Sequence, residues 1–145
     1  MVEDLVQWLR VQLDADDRIA RRAGDSFRQI GETGVIVATE GDRAEECASA
    51  NWAGIAEHIV THDPARVLRE VDAKRQVIAK YATAVDRMKE LGSQIERLKA
   101  DGRDTLMPEM DRATAIHRRD VLAEVLRLHA LTYVDRPGYR EEWRP

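Results

Sequence analysis

His58 and His62 stand four residues apart in a segment whose apolar spacing reads as helical, so both rings would lie on one face, within reach of a single metal ion. Zinc takes about four ligands, and the pair would have to recruit the rest from Cys47, Glu57, Asp63, His117 or His129 through the tertiary fold. In Glu57-His58-Ile59-Val60-Thr61-His62 the acid precedes the first histidine, an order different from the H-E-x-x-H of zinc proteases. The same residues have a structural reading: His62 closes a helix, where an imidazolium meets the negative end of the dipole, and His58 packs beside it. The structural reading is the one taken forward, with no metal or other cofactor expected. A metal-dependent enzyme or zinc-binding module centred on His58 and His62 is the alternative.

Cys47 would be a nucleophile only if a base such as His58 lay against it and lowered its pKa. Between Ala48 and Ser49 it reads instead as a small buried apolar group. Gly31 to Gly34 fits neither G-x-G-x-x-G nor a Walker loop, and it precedes a strand pattern, so it reads as a hairpin turn. Trp8 falls on an apolar helical face, and Trp52 begins a helix whose entry it would staple. Tyr139, Trp143 and Arg144 lie in an aromatic tail that either docks on its own helices or presents a peptide-like surface to a partner.

These residues are positioned mainly by helices. Asp63-Pro64 supplies a cap acceptor and a proline suited to the first helical position. From there Val67, Val71, Ile78, Tyr81, Val85, Met88, Leu91, Ile95 and Leu98 recur in steps of three, four and seven, which predicts one helix to Lys99, weakened near Gly92. Gly102 reads as its left-handed cap. A return helix from Thr105 to Tyr133 would pack antiparallel on it through Met110, Ala113, Ile116, Val121, Leu122, Val125, Leu126, Leu128 and Leu131. Before this pair come a helix from Val2 to Ala23 with Leu5, Trp8, Leu9, Leu13 and Ile19 on its face, a hairpin of Phe27–Ile30 and Val35–Thr39, and a short helix capped by Asn51. Glu45 to Ala48 reads equally as strand or loop. The tail from Val134 to Pro145 is irregular.

The fold class is thus mostly α (α+β): N-terminal helix, small β-hairpin, short helix, long antiparallel helical hairpin and irregular aromatic C-terminal tail. One domain over residues 1–145 is expected, with 85–116 a protruding hairpin tip. Charged residues make up 34% and the formal net charge is −4, with both signs mixed along the long helix, so no positive stripe suits a phosphate backbone. No nucleic acid or membrane partner is expected. A lone cysteine, an acidic N-terminus without a signal-peptide pattern and no run of about 20 apolar residues fit a cytoplasmic protein.

Three segments carry a likeness: Met1 to Arg10, the central His58-Ile59-Val60-Thr61-His62-Asp63-Pro64-Ala65-Arg66-Val67-Leu68-Arg69-Glu70-Val71, and the C-terminal Tyr139-Arg140-Glu141-Glu142-Trp143-Arg144-Pro145. Together they resemble a family of small proteins of unknown function from Actinobacteria and their phages. That resemblance implies a cytoplasmic protein with no assigned activity. In that family pattern extra cysteines and a histidine follow the central motif, and His-Pro stands where this chain has Arg136-Pro137; Gln94 to Arg119 here holds no cysteine. The expected function is therefore a non-enzymatic interaction or regulatory role exerted through a helical surface. Val85, Met88 and Ile95 on the hairpin, with Tyr139, Trp143 and Arg144 of the tail, are the candidate contacts for a protein partner or a homodimer.

Overall fold

The computed structural model describes residues 2–145. Its elements are α1 (Val2–Arg22), β1 (Ser26–Gln29), β2 (Val35–Glu40), β3 (Arg43–Ser49), α2 (Ala53–Thr61), α3 (Pro64–Ala100) and α4 (Leu106–Ala130). Short 3-10 turns follow at Leu131–Tyr133 and Glu141–Trp143. The fold is mostly α with one small sheet. The chain divides into two compact units, one of Val11–Ala73 and one of Met1–Arg10 with Lys74–Pro145, the division falling inside α1 and inside α3. Among the described residues no helix is long and apolar enough to cross a membrane.

In the unit of Val11–Ala73, three antiparallel strands lie in the order β1-β2-β3. Ser26 pairs with Thr39 and Gln29 with Ile36, which sets the hairpin register. Ile30 N–H donates to the Val35 carbonyl at 3.0 Å to close the turn. Gly34 is dictated by close approach: a Cβ there would stand 1.8 Å from the Ala50 oxygen, which leaves no room for any side chain. β3 is a full strand rather than a loop, exposed along its whole length. Its charged Arg43, Glu45 and Glu46 hide the alternation that marks a half-buried strand, and they suit an edge. The register slips by one between Ile36 and Val37, which face Ala48 and Glu46, so Cys47 is the bulged residue. It is exposed, not buried as its small neighbours suggested.

Helix α2 packs on β1 and β2 with Ala56 fully buried. Its cap position belongs to Trp52, whose carbonyl accepts from Ile55 N–H at 3.0 Å, and no side chain caps it, so Asn51 does not serve as predicted. Trp52 is exposed and staples nothing. The start of α3 follows the sequence closely. Asp63 Oδ1 accepts from Arg66 N–H at 2.9 Å, its carbonyl from Val67 N–H at 3.1 Å, and Pro64 takes the first turn. Asp63 Oδ2 also accepts from Phe27 N–H at 3.4 Å, tying the helix start to β1. In α1, Leu13 and Ala20 are buried, whereas Ile19 lies outside that face and is exposed.

Candidate interaction surface

The other unit is built on α3 and α4. α3 ends in a Schellman cap: Gly102 sits at φ +64°, Arg103 N–H donates to the Leu98 carbonyl at 2.9 Å, and Gly102 N–H donates to the Lys99 carbonyl at 3.1 Å. After the turn, Asp104 Oδ1 accepts from Leu106 N–H at 3.1 Å and starts α4. The two helices then run antiparallel and stay in register. Lys99 Nζ lies 3.6 Å from Glu109 Oε1, Gly92 lies beneath the Arg112 guanidinium, Arg119 Nη1 donates to Met88 Sδ at 3.1 Å, and Lys74 Nζ donates to the Tyr133 hydroxyl at 3.3 Å. As the α3 number falls from 99 to 74, its partner on α4 and the following turn rises from 109 to 133.

The nine apolar residues predicted for α3 all lie inside or half inside, with Ile78, Tyr81, Leu91 and Ile95 buried and Ala84 buried among them. The α4 face differs from prediction. Its buried residues are Ala115, Ala123, Leu126 and Ala130, mostly small, and the half-buried Ile116 and Leu122 flank them. Met110, Val121, Leu128 and Leu131, expected against α3, point to solvent with Met107: their exposures are 56%, 46%, 54%, 37% and 63% in that order. With Thr114, His117 and Glu124 these five recur at steps of three and four from 107 to 131, the spacing of a helix-packing seam. α4 therefore carries two stripes, a small one turned in and a larger one turned out.

Two grooves flank the closed seam. One, of about 690 Å³, runs between Met88, Gly92, Ile95 and Lys99 on α3 and Arg112 and Ile116 on α4. The other, of about 620 Å³, has a floor of Ala79, Ala84 and Ala115, and its rim includes Lys80, Arg87, Asp111 and Arg118. Of the candidate contacts on α3, Ile95 is buried and Val85 and Met88 are half-buried. His129 and Tyr81 have shifted pKa values here. Burial, and secondly the Lys74 charge, hold His129 below the usual histidine range. Burial, with Glu3 next, pushes Tyr81 above the usual phenol value.

The tail folds back onto Trp8 of α1. The Trp8 ring meets Trp143 at 5.3 Å, Tyr139 at 5.8 Å and Tyr133 at 6.3 Å between centroids, and its Nε1 donates to the Pro137 carbonyl at 3.0 Å. Arg140 covers Trp143 at 5.3 Å and pairs with Asp4 at 3.1 Å. Trp143 is 3% exposed, so it anchors the tail. The Tyr139 hydroxyl and Trp143 Nε1 are buried without a hydrogen-bond partner. Arg144 is exposed and paired with Glu141 at 3.3 Å.

His58 and His62 do meet, ring centroids 4.3 Å apart, on the exposed side of α2. His62 occupies the helix C-cap, where its Nδ1 stands 2.8 Å from the His58 carbonyl. A carbonyl only accepts, so Nδ1 carries the proton and this nitrogen serves the helix end. Cys47 Sγ is instead directed at the Ile36 carbonyl, 3.5 Å away. Among the described residues, no three His, Cys, Asp or Glu side chains converge as a metal site would require.

Over residues 2–145 the chain matches the family of unknown function DUF6221, and it belongs to that family. Comparison with curated proteins and with solved structures gives no match to either.

Proposed function

We propose that this is a non-enzymatic interaction or regulatory protein whose working surface is the outward face of α4. One observation carries the reading: Met107, Met110, Val121 and Leu128 of α4, with Leu131 of the turn that follows, lie exposed at helix-packing spacing while the other face of α4 is buried. Apolar side chains in such a row gain by leaving water, and another helix is the surface that fits them. Homodimerisation is the simplest way to cover the part of the row from Met107 to Val121. The likeness of the central and C-terminal motifs to actinobacterial and phage proteins supports a role in such a host or its mobile elements. The lone cysteine supports a reducing, cytoplasmic setting. Sedimentation velocity of the full chain tests the reading. A species above the 16.5 kDa of one chain is expected at micromolar concentration, and Met110→Lys with Val121→Lys should return it to one chain without unfolding it. Strictly monomeric behaviour would remove homodimerisation from the proposal.

A further inference from the structure

Asp111 and Arg118 lie seven residues apart on α4, along the rim of the groove floored by Ala79, Ala84 and Ala115. Neither has an ion-pair partner among the described residues. Seven residues are two turns, roughly 10 Å along the axis, so the two opposite charges share one edge of the outward stripe. Between them on that edge stands the exposed Thr114, a short side chain that lets another helix come close. An edge with a negative charge, a small gap and a positive charge is self-complementary under a two-fold rotation. Arg87, across the groove, is already paired with Glu90 at 2.8 Å.

We propose that the chain forms an isologous dimer in which two α4 helices cross antiparallel between Thr114 and His117, closed by two equivalent ion pairs between Asp111 and the partner's Arg118. This rests on reading the outer face of α4 as the interaction surface, and it names the partner and the register. The same axis sets Met110 against the partner's Val121 and Thr114 against the partner's His117. A longer overlap, one heptad further along, would cover Leu128 and Leu131 as well. It would also bring Arg118, which has no ion-pair partner among the described residues, against the partner's Arg118. Like charges at the flanks of a helix pair select against a register, so the charges favour the shorter overlap.

Charge reversal on the full chain tests the pairing, read by sedimentation velocity with circular dichroism as the folding control. Wild type should sediment as two chains. Asp111→Arg and Arg118→Asp should each raise the dissociation constant by about tenfold or more, and the double reversal should restore it to within about threefold. Leu128→Lys, outside the short overlap, should leave association unchanged. A dimer dissociated by Met110→Lys with Val121→Lys but untouched by the single reversals, or not rescued by the double, overturns this pairing and leaves the α4 surface standing. Loss of association in Leu128→Lys overturns the short register. Wild type that stays a single chain up to ~100 µM overturns the dimer altogether.

Discussion

α3 and α4 lie side by side with apolar residues at the same spacing, yet they dispose of them in opposite ways. α3 turns its large side chains inward, burying Ile78, Tyr81, Leu91 and Ile95. α4 buries Ala115, Ala123 and Ala130 with the single large Leu126, and carries Met107, Met110, Val121 and Leu128 on its outside. The difference is one of volume. A seam filled by bulky residues from one helix closes at ordinary interaxial distance only if the other offers small ones, and the displaced bulk of α4 must go elsewhere. Periodicity thus identifies a stripe, while side-chain size decides which stripe faces the neighbour. What is left outside on α4 is a row of exposed apolar side chains.

The strongest way to break this contrast is Ile95→Asp on the inner face of α3, a position 5% exposed. An unpaired carboxylate placed there should lower stability by about 3–5 kcal/mol, seen as a shift of the denaturant midpoint. Val85→Asp, at a half-buried position, should cost clearly less. Equal, small losses at both would mean that α3 is not packed as described.

Next in size is the small side of the seam. Ala130 is fully buried, and Ala130→Leu adds volume where α4 has none to give. It should cost about 1–3 kcal/mol by forcing neighbours from their rotamers. A neutral result would place free space along this side and remove the volume argument.

A third test uses pH at the end of the seam. Burial and Lys74 lower the His129 pKa in the folded chain, so the unfolded chain takes up the proton first as pH falls. His129 should therefore contribute no pH dependence well above its ordinary value of 6.5 and a progressive loss of stability as pH drops below it. Melting curves at successive pH values should show that His129→Gln loses less on acidification than wild type. Identical acid sensitivity would exclude His129 as a source of it.

How far these features can be read from sequence follows from where their causes lie. The ends of α3 are written locally, in Asp63-Pro64 and in Gly102, and the structure uses those residues as caps. The hairpin is equally local. The α4 face is not, because its apolar residues cover so wide an arc that period alone supports either side, and only the size of the α3 residues opposite decides. Asn51 looked the better cap by type, yet the chain starts α2 one residue later using backbone alone. The aromatic tail around Trp143 carries a docking signal, but its partner Trp8 lies 135 positions away, beyond any local spacing. Of the candidate contacts, the tail aromatics and Ile95 are occupied within the chain. The outward stripe was legible in principle as the series 107, 110, 114, 117, 121, 124, 128 and 131, and Asp111 and Arg118 only acquire meaning beside it.

The smallest expected effect is the one that separates the two faces most cleanly. Val121→Lys and Leu128→Lys each place a charge on the outward stripe, where 46% and 54% of the residue already meets water. A lysine there keeps its ammonium solvated and its stem against the helix, and the substitution should change the stability of the single chain by no more than about 0.5 kcal/mol. Unfolding must be measured at sub-micromolar protein, because any association of folded chains adds apparent stability by mass action and would make a surface variant look destabilised. At higher concentration Val121→Lys should then lose that added stability, while Leu128→Lys, lying outside the proposed crossing, should keep it. If Val121→Lys in the dilute chain cost as much as Ala130→Leu, Val121 would belong to the inner seam and the assignment of the two α4 faces would be reversed.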